Sequence, residues 1–196
     1  MPFVSSVEVE GRKPGHIKLH GPEAFAGMRR AGQLAAEALD LLTKHVRPGT
    51  TTEALDTLVF DFAMAHDAYP APLDYRGYRK SVCTSINHVV CHGIPDGKPL
   101  KEGDIVNIDV TLILDGWHGD SSRMYLVGER VSLKARRLVD VTYEALMRGI
   151  AVVRPGAHVG DIGHAIQSYA EAQRFSVVRD FCGHGLGRIF HDAPSI

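Results

Sequence analysis

The chain has 196 residues, 44% of them hydrophobic, enough to bury a core and build one domain or two small ones. Its 22 Lys and Arg against 23 Asp and Glu leave a formal net charge of −1, which gives no electrostatic footprint for nucleic acid or an anionic membrane. Three cysteines, Cys83, Cys91 and Cys182, without close spacing argue against a disulfide framework or a structural zinc cluster and fit a reducing compartment. The opening "MPFVSSVEVEGRKPGH" lacks the apolar core of a secretory signal, and no apolar run is long enough to span a bilayer, so the expected location is the cytoplasm.

Residues 1–16 read as a polar lead-in. A first helix is predicted from Pro22, with Pro22 and Glu23 suiting a first turn. Its apolar stripe is Phe25, Met28, Leu34, Ala35, Ala38, Leu41 and Leu42, and Pro48-Gly49 ends it. The run Thr50-Thr51-Thr52-Glu53 offers a capping box for a second helix, with Leu55, Leu58, Val59 and Phe62 inward. The paired arginines, Arg29-Arg30 and Arg136-Arg137, fall on helices and read as solvated faces. "AYPAPLDYRGY" is a loop. "KSVCTSIN" and "HVVCHG" read as strands, and "IVNIDVTLILDGWHGDSS" as a strand, an Asp115-Gly116 turn and a return strand. Further helices are predicted over 133–152 and 160–172, and the last stretch, from Arg174, reads as glycine-broken strand.

"VRPG" occurs at 46–49 and again at 153–156. Each copy follows a long amphipathic helix and precedes a second helix, a strand region and a His-x-x-Pro, at His92 and at His191. Four elements in the same order make a chance match a poor explanation. The first half runs over about 22–128 and the second over about 132–196. More than thirty residues carrying the hairpin follow Pro95, and two follow Pro194. The expectation is therefore a C-terminally truncated second half, with an exposed strand edge over 181–190 and a tendency to associate.

The hairpin poses the chemical question. With Asp115 and Gly116 as its loop, Leu114 pairs with Trp117 and Thr111 with Asp120. Alternation then puts Asp109, Thr111 and Asp120 on one face, with the two carboxylates diagonal neighbours, roughly 7–8 Å apart at the backbone. The strand is apolar on both sides and so is expected to be buried. Two buried carboxylates share a proton or hold a cation, and the cation is the preferred reading. His184, between Gly183 and Gly185, is structural or a ligand; "CGHGLG" is not a phosphate loop. Adjacent in a strand, Cys91 and His92 would face opposite ways and make a poor nucleophile–base pair. His92 and His191 hold equivalent places in the two halves, which suggests that both line one site.

Three of these segments, "SVCTSINHVVCHGIPDG", "GDIVNIDVTLILDGWHGDSSRMYLVG" and "CGHGLGRIFHDAPSI", resemble type I methionine aminopeptidases of the bacterial kind, a likeness running from about Ile17 to Ile196. The resemblance implies the pita-bread fold, α+β with a pseudo-twofold αβ repeat, and one metallo-aminopeptidase catalytic domain over 1–196. It implies hydrolytic removal of the N-terminal methionine from nascent proteins, at the ribosome, by a monomer with two divalent metal ions, Co, Mn, Fe or Zn. It implies Asp109, Asp120 and His184 as metal ligands, with two further glutamate ligands beyond the present chain. His92 and His191 are implied as catalytic, with His92, Tyr75, Tyr78, Cys83 and Phe190 in contact with substrate. Asn87 and Val89 match a monovalent-cation site. Pro72, Arg79 and His88 depart from the family's usual residues. A non-catalytic pita-bread binding module, or an aminopeptidase of other specificity on the same fold, is the alternative.

Overall fold

The computed structural model describes residues 17–196, so the predicted polar lead-in lies outside the described residues. They form two compact units. One runs up to Val131 and includes Leu186–Ala193; the other is Ser132–Gly185 with Pro194–Ile196.

In the first unit, helix α1 (Pro22–Leu42) starts on its proline, and helix α2 (Thr52–Ala65) is capped by the Thr51 side chain accepting from the Ala54 N–H. The strands are β1 (Tyr69–Pro70), β2 (Cys83–Ile86), β3 (Ile105–Leu114) and β4 (Trp117–Leu126). All pairings are antiparallel. β4 runs the whole length of β3 on one edge, and β2 and β1 share the other. The predicted hairpin register holds: Leu114 faces Trp117 and Thr111 faces Asp120. Asp115 and Gly116 take φ of 52° and 77°, the left-handed pair that a two-residue hairpin turn requires.

β3 alternates. Val106, Ile108, Val110 and Leu112 are fully buried, in one core with Ala35, Leu39 and Leu42 of α1 and with Leu55 and Val59 of α2. The other face of β3 is more open. Thr111 is buried there, but Asn107, Asp109 and Ile113 are only half-buried, so the strand is not buried on both sides as its composition suggests. The stripe of α1 also shifts. Phe25 is exposed, and Ala24, Gly27 and Ala31 turn inward instead, because the indole of Trp117 fills the space beside them. Leu58 and Phe62 of α2 pack at the core's margin.

Two predicted strands are absent. Residues 87–93 form a loop, in which Asn87 and His92 have φ of 53° and 56°. The loop is held from its sides: Thr84 N–H donates to the Gly93 carbonyl (2.7 Å), and Gly93 N–H to Ser85 Oγ (3.2 Å). The opposite-faces argument for Cys91 and His92 therefore does not apply. Residues 174–183 are also irregular, and of the glycine-broken tail only β5 (His184–Gly185) and β6 (Asp192–Ser195) are strands.

In the second unit, Ser132 caps helix α3 (Leu133–Ala151) and His158 caps helix α4 (Val159–Ala172). Gly149 of α3 lies against Ile162 and Ile166 of α4. Gly183 and Ile196 exchange both backbone hydrogen bonds at 2.9 Å. The two "VRPG" glycines, Gly49 and Gly156, share a φ of 89°, so both copies make the same left-handed turn.

Candidate metal and substrate site

The site is built on the half-buried face of β3 and its neighbours. Cys83 of β2 is the direct partner of Asp109, and Asp120 lies one diagonal step away, opposite Thr111. Thr111 Oγ1 donates to Asp120 Oδ1 at 2.8 Å, which fixes one carboxylate oxygen. Burial pushes the Cys83 thiol up against the lowering effect of its hydrogen bond with Tyr78, and the nearby Asp109, Cys91 and Asp120 add to the rise. Burial and then Asp109 raise Cys91 likewise. Both cysteines therefore stay thiols at neutral pH.

Tyr78 donates its hydroxyl to the Val82 carbonyl (2.9 Å) and reaches the Gly93 carbonyl (3.4 Å), which ties the start of β2 to the 87–93 loop. Burial, and then its bond to Cys83, keep it protonated. Asn87 is engaged by its side chain: Nδ2 donates to Asp104 Oδ1 (2.9 Å) and Oδ1 accepts from Ile105 N–H (3.0 Å). Val89, two residues on, is exposed. His92 is exposed on the same loop. Arg79 pairs with Asp74 at 2.9 Å on the surface, His88 is exposed and Pro72 is buried.

A second group gathers around Tyr75. Its ring centroid lies 5.1 Å from Phe190 and 5.3 Å from His191, and its hydroxyl is 3.1 Å from His191 Nδ1. Thus Tyr75, Phe190 and His191 come together although 116 positions separate the first from the last. His184 belongs to the second unit. Its Nδ1 lies 3.0 Å from the Gly185 carbonyl, which can only accept, so Nδ1 is the donor in this contact.

Among the described residues no group of three or more His, Cys, Asp and Glu is drawn together as a metal site. The donors fit a divalent ion in kind. Two carboxylates share a face, and a hydroxyl orients one of them.

Sequence reasoning misses two contributors. Asp56 of α2 accepts from Ser81 N–H (2.6 Å) and Val82 N–H (3.1 Å), which aims the start of β2. His118 is buried and meets the return segment through Gly187 and Phe190. Strand alternation from Asp120 would have put His118 on the site's face.

A family model for metallopeptidase family M24 matches residues 26–196. A methionine aminopeptidase of Rickettsia prowazekii is 64% identical over 180 residues, covering 92% of this chain and 69% of the relative. The Escherichia coli K12 methionine aminopeptidase is 50% identical over 182 residues, again covering 92% and 69%. The crystal structure from Rickettsia prowazekii superposes with a TM-score of 0.91 over 92% of this chain and 73% of that one. Methionine aminopeptidase from Thermotoga maritima gives a TM-score of 0.90 at 38% identity, with the same coverage. The expected pita-bread α+β fold stands on these likenesses. The chain belongs to metallopeptidase family M24 and, within it, to the bacterial-type methionine aminopeptidases, metal-dependent hydrolases.

Proposed function

We propose that the protein removes the N-terminal methionine from nascent polypeptides, with Asp109, Asp120 and His184 among the ligands of two divalent ions, Co, Mn, Fe or Zn. The observation that carries this reading is the hairpin register, which sets Asp109 and Asp120 diagonally on one face with Thr111 bonded to Asp120. Bound there, the ions would supply Lewis acidity and a hydroxide at neutral pH.

The chain's own residues do the rest. Tyr75, Tyr78, Cys83 and Phe190 offer a soft, largely apolar wall that suits a thioether side chain. Burial opposes the ionisation of the Cys83 thiol there. The Tyr75 hydroxyl lies 3.1 Å from His191 Nδ1; when it donates to that nitrogen, Nε2 is the ring nitrogen left to donate a proton to a developing oxyanion. His92 serves as the second donor and contacts substrate. Asn87 and Val89 contribute to a monovalent-cation site beside β2. The protein acts in the cytoplasm, at the ribosome, as a monomer whose catalytic domain includes 1–196 as two half-repeats.

The test is methionine release from a Met-Ala peptide by the full-length protein with Mn, Co, Fe or Zn. Release with at least one of these metals is expected, lost in D109N and D120N. No release with any of them would overturn the reading.

A further inference from the structure

We propose that Trp117 and His118, the first two residues of β4, form a clamp that positions His191 on Tyr75. The inference rests on the proposed role of His191 in the reaction. Between Gly185 and Asp192 the chain has no helix or strand, so no ladder sets the place of Phe190 or His191. The hairpin does so instead.

The Gly187 carbonyl accepts twice from His118, from the backbone N–H at 2.9 Å and from ring Nδ1 at 3.0 Å. A carbonyl has no proton to give, so Nδ1 must carry one. The His118 ring then stacks on Phe190, with centroids 5.7 Å apart and planes at 19°. Phe190 in turn touches His191, at 4.2 Å between centroids, and Tyr75, at 5.1 Å. Neighbouring residues of a strand point to opposite faces. On the other face, the Arg188 guanidinium lies 4.3 Å over the Trp117 ring, and its Nη1 donates to the Asp115 carbonyl at 3.3 Å. The return segment therefore straddles the strand end. Arg188 grips one side of it and Phe190 the other.

His118 is a positioning residue, since it acts through Phe190 and His191. A buried histidine that only stabilises the fold would change how much protein folds, not how the folded protein turns over. Two readouts separate these roles. In peptide hydrolysis by the full-length protein, H118A is expected to lower kcat about 10–100-fold with KM little changed. H118N, which keeps a donor near the Nδ1 position, is expected to recover most of that loss. Unchanged kcat in H118A, or H118N no better than H118A, would overturn the clamp.

The second readout needs no activity. In NMR spectra of the wild-type protein, His118 is expected to show a protonated Nδ1, with cross-peaks between the Phe190 and Tyr75 rings. Those cross-peaks should fade in H118A and return in H118N. If H118A does not fold, R188A removes the other jaw at an exposed position, and weaker cross-peaks are expected there too. Cross-peaks that persist unchanged in the variants contradict the clamp. Wild-type cross-peaks without any hydrolysis would instead count against the proposed function alone.

Discussion

Thr111 donates its hydroxyl proton to Asp120 Oδ1 at 2.8 Å, across a directly facing pair of β3 and β4. The bond holds the carboxylate in one orientation. T111V keeps the buried volume and removes the donor. The expected outcome is a fall of about 10–100-fold in metal affinity by calorimetry with Mn. The accompanying loss of stability should be only about 1 kcal/mol by urea denaturation. T111S should restore most of the affinity. A T111V protein that binds Mn as wild type does would contradict the orienting role.

Close packing behind the site should be as sensitive. Gly119 lies beside the backbone of Ala31 and Gly32 in α1, and a Cβ there would overlap the Ala31 carbonyl. G119A is expected to cost about 3 kcal/mol or more, because a helix backbone has to move rather than a side chain. Thermal or urea unfolding measures this. A variant within about 0.5 kcal/mol of wild type would show that α1 and β4 are not in backbone contact at this point.

Thiol chemistry gives a prediction with an internal control. Cys182 is exposed, whereas burial raises Cys83 and Cys91 and the Asp109 charge opposes their ionisation further. Iodoacetamide at neutral pH should modify Cys182 first, and mass spectrometry of peptides reads the order. Faster labelling of Cys83 would mean that neither burial nor the Asp109 charge controls its thiol.

Asp56 makes a pH prediction. Burial raises its pKa above the usual 3.8, against the opposing pull of its two N–H bonds. The folded state then holds the proton more tightly than the unfolded state does. The group's contribution to stability is thus full below 3.8 and is lost as the pH rises through the raised value. D56N removes this dependence and keeps an acceptor, so its stability should vary less with pH across the acid range. D56A leaves the Ser81 and Val82 N–H groups without their acceptor and should cost about 1–3 kcal/mol. Equal losses in the two variants would contradict this account.

How much of the fold and the site was legible in the sequence depended on range. The hairpin was legible because Asp115-Gly116 names its own turn, and a two-residue loop sets every pair behind it, Thr111 with Asp120 included. The helices were legible from period and caps. The 87–93 loop was not, because Val89 and Val90 are β-branched like strand residues, whereas the left-handed Asn87 and His92 are fixed by bonds to Ile105 and through Gly93. The openness of the Asp109 face was also illegible, since composition reports apolar residues and not what covers them. The His118 contact joins residues 69 positions apart, and no local pattern announces it. The resemblance supplied Tyr75, Phe190 and His191 as a set, which periodicity alone could not have assembled.

Mn titration followed by electron paramagnetic resonance is the most direct test of whether the Asp109–Asp120 face holds divalent metal. The wild-type protein should take up Mn, and D109N and D120N should each lose most of that binding while remaining folded by circular dichroism. Folded variants that bind Mn as tightly as wild type would contradict metal binding on that face.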